Sequence, residues 1–201
     1  IDELGADWFA EQLEARQMAV PTLVANAQGS SFYRVEHGQM QFLGVNGAQH
    51  DMRRADGVLL LEDIKRAAGK PLARNGSASL WDIGDGVLCV EFHTKMNSID
   101  QGVMAMLKIA IDTVSSQFKA LVIYNEGTNF SVGANIGLAM FAANIAAWEQ
   151  IEQTVMQGQQ TYQALKYAPF PVIGAPAGMA LGGGCEVLLH CDALTAHAET
   201  Y

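Results

Sequence analysis

The chain has 201 residues, half of them hydrophobic, and a formal net charge of −9. That length suits one domain with an appendage and is enough to bury a sizeable core. The acidic balance argues against nucleic acid as a partner, because phosphate binding needs basic patches. No unbroken apolar run approaches the roughly 18 residues that span a membrane, so no membrane insertion is expected. Cys89, Cys185 and Cys191 lack metal-ligand spacing and read as buried, reduced thiols of a cytoplasmic protein, with no metal site implied.

In chain order, residues 1–76 carry a signal of their own. Residues 2–20 alternate acidic and apolar side chains at helical spacing and stop at Pro21. Residues 32–35 and 40–43 flank Glu36-His37-Gly38-Gln39, the pattern of a hairpin. Residues 58–68 read as a short helix closed by Gly69-Lys70-Pro71. No G-x-G-x-x-G fingerprint occurs in this stretch, so no NAD binding is expected of it.

Residues 77–201 alternate strands and helices. Residues 80–84 and 87–92 read as strands joined at Asp85-Gly86, a hairpin signal. A helix over 100–118 follows, with Val103, Met106, Leu107, Ala110 and Val114 at helical spacing. Residues 120–124 form a buried strand and 125–129 a loop. The small-residue turn Phe130-Ser131-Val132-Gly133-Ala134-Asn135-Ile136 then enters a helix at 137–141. A second buried strand at 171–175 leads into the run from Pro176 to Glu186, which contains Gly182-Gly183-Gly184 and opens a helical pattern at 186–190.

Glycines at a strand-to-helix junction let another group approach the backbone and leave first-turn N–H groups without intrahelical partners. Such groups, at the positive end of a helix dipole, suit an oxygen that develops negative charge. Glu186 lies three residues beyond Gly183 on the same helical face, so one turn offers both a donor and a carboxylate. The same glycines are equally consistent with tight strand–helix packing alone. His190, among apolar neighbours, reads as a packed histidine, and His93 as a structural one.

The two turns together resemble the crotonase (enoyl-CoA hydratase/isomerase) superfamily. The first is similar to its Phe-x-x-Gly-Ala-Asp-Ile turn and the second to its Gly-x-Ala-x-Gly-Gly-Gly-Cys-Glu turn. The resemblance implies an α/β fold of stacked ββα spiral turns, incomplete here, over residues 77–201, preceded by a small α+β appendage over 1–76. It implies that the N–H groups of Ala134 and Gly183 form an oxyanion hole around an acyl-CoA thioester carbonyl. It also makes Glu186 the first of two catalytic glutamates, and puts Lys95, Val132 and Gly133 beside coenzyme A. Coenzyme A enters as part of the substrate and no cofactor is held by these residues. A homo-oligomer is implied for the whole protein. Asn135 departs from the family's usual Asp and keeps a hydrogen-bonding side chain without its charge.

Residues 1–76 resemble the end of the 3-hydroxyacyl-CoA dehydrogenase portion of fused bacterial β-oxidation proteins, whose NAD site would lie upstream. The second glutamate of hydratases falls about 20 residues after the first, where this sequence has ended, so a C-terminally truncated hydratase, inactive alone, is expected. Three readings stay open: hydration of trans-2-enoyl-CoA in fatty-acid β-oxidation, Δ3-Δ2-enoyl-CoA isomerisation with Glu186 as the one base, and a non-catalytic acyl-CoA-binding or docking module.

Overall fold

The N-terminal expectations resolve into short elements in the computed structural model, which describes residues 3–201 and divides after Gly69 into two compact units. In the first, α1 (Ala6–Ala15) stops where Gln17 takes a positive φ of 55°. The helix expected over 2–20 is therefore shorter, and its first residue, Asp2, lies outside the described residues. A one-turn helix, α2 (Thr22–Asn26), follows Pro21. Strands β1 (Tyr33–Glu36) and β2 (Gln39–Leu43) form the expected hairpin, and β3 (Gln49–Asp51) extends it into an antiparallel sheet in the order β1-β2-β3. His37 and Gly38, at φ 50° and 79°, make the tight turn. Both central residues are left-handed, the twist that suits a two-residue hairpin. The core of this unit is small: Ala6, Ala27 and Leu43, with Leu23 and Phe32 against them.

Helix α3 (Leu61–Ala68) starts three residues later than the sequence suggests, because Leu60 is extended at φ −107° and ψ 130°. It ends at Gly69, φ 71°. Asp63 in its first turn accepts from Arg54 Nε at 2.7 Å and from Arg66 Nη1 at 2.5 Å. The Arg54 hydrogen bond is the main cause that holds the Asp63 carboxyl down to about 2.

The second unit begins at Lys70 rather than at the expected 77. Residues 73–74 form β4 (Ala73–Arg74), an edge strand whose register is Ala73↔Leu80 and Arg74↔Ser79. It pairs with β5 (Ala78–Asp82), which forms the predicted hairpin with β6 (Val87–Phe92). A 3-10 turn (Lys95–Asn97) leads to α4 (Gln101–Gln117), N-capped by Asp100, which accepts from Val103 N at 2.8 Å. Val103, Met106, Leu107, Ala110 and Val114 are the buried residues of α4, the stripe visible in the sequence. Next come β7 (Ala120–Ile123), β8 (Asn129–Ser131), α5 (Ile136–Asn144) and α6 (Trp148–Lys166). The unit closes with β9 (Val172–Gly174), β10 (Met179–Ala180), α7 (Gly183–Leu189) and β11 (Ala193–Leu194).

The main sheet runs β11-β9-β7-β6-β5-β4, parallel from β11 to β6 and antiparallel beyond. One of its faces packs Leu80, Leu88, Val90 and Phe92 against the α4 stripe, with Leu121, Ile123, Phe130 and Val172 in the same core. Strands β8 and β10 pair separately, in parallel. Helix α6 and the shortest strands, such as β8, β10 and β11, escaped the sequence reading. Helix α6 is mostly polar and buries only Thr161, Tyr162 and Leu165 near its end, so it shows little apolar period. Strands as short as β10 carry no periodic signal.

Asp63 gives a test of the first unit. A carboxylate with a depressed folded pKa contributes stability above its unfolded value of about 3.9, lost as pH falls through the folded value. A carboxyl titration followed by NMR should give Asp63 a midpoint of about 2. Arg54→Gln should raise that midpoint, and an ordinary aspartate midpoint with Arg54 intact would show that the pair does not form.

Candidate functional site

The site is assembled on the β8–β10 pair. Asn125, 1% exposed in the loop after β7, places β8: its Oδ1 accepts from Phe92 N at 2.6 Å and its Nδ2 donates to the Phe130 carbonyl at 2.6 Å. Met179 and Ala180 lie in register with Asn129 and Ser131, and Leu181 N continues the pairing to the Ser131 carbonyl at 2.9 Å. The two small-residue turns, one after each strand, are thereby forced side by side.

Their contact is so close that side chains are excluded. Gly133, at φ 87°, has no room for a Cβ, which would sit 2.7 Å from the Leu181 carbonyl oxygen and 2.9 Å from Gly183 N. A Cβ on Gly184 would lie 2.5 Å from the Ser131 carbonyl oxygen. The glycine run does serve tight packing, and the packing is between the two turns.

Among the described residues, neither Ala134 N nor Gly183 N donates a backbone hydrogen bond, although Gly184 N reaches the Leu181 carbonyl and Glu186 N that of Gly182. A Cβ built on Gly183 would be 3.5 Å from Ala134 N. Because a Cβ lies about 2.5 Å from its own nitrogen, the two nitrogens are at most about 6 Å apart. That separation permits one oxygen to meet both.

Glu186 sits in the first turn of α7 with its side chain exposed. Its carbonyl accepts from His190 Nδ1 at 2.7 Å, and the His190 ring stacks on Tyr162 at 5.2 Å. His93 lies elsewhere, with Nε2 3.0 Å from Ser79 Oγ. Asn135 caps α5, its Oδ1 accepting from Gly137 N at 3.1 Å. Lys95 is exposed on the 3-10 turn, which is strapped to β8 by Asn97 Nδ2 donating to the Asn129 carbonyl at 2.8 Å. Met96 accepts from Val132 N at 3.4 Å, and Gly133 accepts from Ile99 N at 2.8 Å. The structure thus brings the Lys95 segment, Val132 and Gly133 together beside Ala134. Ile136, Met140 and Phe141 of α5 are 62–70% exposed just beyond it.

Of the cysteines expected to be buried, Cys89 is, but Cys185 is exposed, because α7 turns Gly184, Val187 and Leu188 to the core instead; burial, with Asp192 adding, pushes the Cys191 thiol up to about 12. Among the described residues no group of three or more His, Cys, Asp or Glu is placed to hold a metal ion, and no helix is long and apolar enough to cross a membrane. Tyr162 was missed by the sequence reading. Its sole trace was an aromatic in a polar helix.

The profile of the family described as Enoyl-CoA hydratase/isomerase matches residues 82–200. A Bacillus subtilis protein named as a 3-hydroxyacyl-CoA dehydrogenase is 31% identical over 203 aligned residues, which take in all of this chain and 26% of that protein. A Rickettsia prowazekii protein named as a fatty acid oxidation complex trifunctional enzyme is 35% identical over 65% of this chain and 18% of its own length. The chain therefore spans about a quarter or less of these relatives. The crystal structure of an enoyl-CoA hydratase from Polaromonas shares the fold, with a TM-score of 0.58 at 22% identity over 62% of this chain and 49% of that one. The α/β architecture of the second unit is crotonase-like.

Gly184→Ala separates close approach from backbone strain, since Gly184 is helical. The added methyl meets a carbonyl that cannot retreat without breaking the β8–β10 pair, so stability should fall by about 1–3 kcal/mol, the usual cost of overpacking. Chemical denaturation reads it. A midpoint equal to that of the wild type would show that the two turns are further apart than described.

Proposed function

The chain belongs to the enoyl-CoA hydratase/isomerase family, and on that premise we propose that it serves fatty-acid β-oxidation by hydrating trans-2-enoyl-CoA. The observation that carries the proposal is the pair of unused N–H groups on Ala134 and Gly183, close enough to share one acceptor, with a carboxylate one turn along. As water adds at C3, the thioester carbonyl gains enolate character, and two preorganised donors stabilise the oxygen that bears it. Each donor is worth about 3 kcal/mol of barrier, or roughly 100-fold in rate.

In this reading Glu186 takes a proton from the attacking water while the hydroxyl bonds to C3. A second acid protonates C2, a role the resemblance gives to a glutamate about 20 residues after Glu186. Lys95, Val132 and Gly133 would lie along the coenzyme A moiety, with Lys95 supplying local positive charge that a chain of net charge −9 otherwise lacks for a polyanion. The exposed apolar residues of α5 suit an acyl chain or a neighbouring subunit of a homo-oligomer. No bound cofactor enters the chemistry, and a cytoplasmic setting fits the substrate. The match of the whole of this chain to 26% of a protein named as a dehydrogenase supports a fused arrangement, with NAD bound elsewhere in such a protein.

Glu186→Gln tests the assignment, because it keeps shape and hydrogen-bonding reach but removes the base. Crotonyl-CoA hydration by the full-length protein should fall by about 100-fold or more, the range for a general base, with acyl-CoA affinity little changed. Turnover near that of the wild type would make Glu186 a structural residue. Isomerisation of a 3-enoyl-CoA without hydration would select the one-base alternative.

A further inference from the structure

Helix α7 begins without a side-chain cap, at Gly182-Gly183-Gly184, the least rigid start a helix can have. The first turn that carries both Gly183 N–H and Glu186 must therefore be held from outside. The C-terminal part of α6 supplies the hold. Tyr162 is 8% exposed, and its hydroxyl donates to the Gly183 carbonyl at 3.3 Å. Its ring stacks on His190, with centroids 5.2 Å apart and planes at 29°, and His190 Nδ1 donates to the Glu186 carbonyl at 2.7 Å. A phenol and an imidazole thus clip the carbonyls of Gly183 and Glu186 across one turn.

We propose that Tyr162 is a positioning residue for the reaction inferred above, its hydroxyl fixing the Gly183–Gly184 peptide plane, which adjoins the one carrying Gly183 N–H, and its ring fixing, through His190, the turn that bears Glu186. This role rests on the proposed function and adds a residue on α6 to it. The hydrogen bond is long at 3.3 Å, so the stacked ring shares the anchoring with the hydroxyl. The donor is permanent: burial, with the charge of Glu186 adding, pushes the phenol up to about 12. Its proton is therefore retained across the neutral range, and Tyr162 should add no limb to the pH–rate profile. A donor aimed at a peptide carbonyl rather than at the substrate acts on geometry, and small misplacements of an oxyanion donor are expensive.

Two substitutions separate positioning from packing. Tyr162→Phe removes the hydroxyl and keeps the stacked ring, while Tyr162→Leu removes both. In the full-length protein with crotonyl-CoA, Tyr162→Phe should lower kcat about 10-fold, within the range that misplaced groups cost. KM and Tm should stay close to wild type, and amide hydrogen exchange at Gly184 and Glu186, whose N–H groups are bonded within the turn, should quicken. Tyr162→Leu should add a clear fall in Tm and a further loss of kcat, because the ring's hold on His190 goes with it. Unchanged kcat in Tyr162→Phe, or a loss that appears only with Tyr162→Leu and its lowered Tm, would reduce Tyr162 to core packing. Unchanged exchange at Gly184 and Glu186 in Tyr162→Phe would overturn the anchoring itself. Quickened exchange in a protein whose wild type does not turn over crotonyl-CoA would keep the anchor and overturn the functional reading.

Discussion

The parallel pairing of β8 with β10, continued by the hydrogen bond from Leu181 N to the Ser131 carbonyl, is the constraint on which the site depends. Each strand is too short to persist alone. Their pairing survives because each is tied to the main core: Phe130 is fully buried there, and Val187 and Leu188 of α7 pack into the same cluster. Once the strands are aligned, the chain leaves both in the same direction, and the turns that follow must lie in contact. Side-chain-free backbone at Gly133 and Gly184 is what allows that contact. Two N–H groups, one from each turn, are then brought together by main-chain geometry.

Polar staples do for β8 what apolar burial cannot. Asn125 satisfies its carbonyl oxygen and its amide nitrogen on two different strands while almost wholly buried, so it costs no unpaired group and fixes the spacing of β6 and β8. A fully satisfied buried amide specifies geometry, where an apolar residue would only add burial. Asn97 repeats the device from the other side, reaching the Asn129 carbonyl out of consecutive left-handed residues, Met96 and Asn97 at φ 57° and 51°. A non-glycine pair in that conformation is strained, and the strap to β8 over-determines it. Its effect is to bring Lys95 up to the turn at Val132 and Gly133.

Helices α4 and α5 show how far composition misleads about burial. In α4 the apolar residues fall on one stripe, and the stripe is the core face. Helix α5 is more apolar throughout, yet Ile136, Met140 and Phe141 are exposed. Helix α6 is the converse, polar in sequence but supplying the buried Tyr162 to the first turn of α7. Periodicity reports a helix that packs along its whole length. It is silent about one that packs only at an end.

The sequence by itself determined the local decisions. The hairpin at Asp85-Gly86, the α4 stripe, the strand-to-helix turns at residues 130–136 and 176–186, and Glu186 one turn past the glycines all follow from spacing and backbone preference within a dozen residues. The paired turns also carried the family resemblance that the profile over residues 82–200 bears out. Tertiary structure decided what depends on residues far apart in the chain: the β8–β10 register, the Asn125 staple, the edge strand that moves the second unit's start to Lys70, and the clip of Tyr162 and His190 on α7. Each of these rests on one or two hydrogen bonds between segments with no shared period. Their partners exist only once the core has placed them, so no local pattern in the chain could announce them.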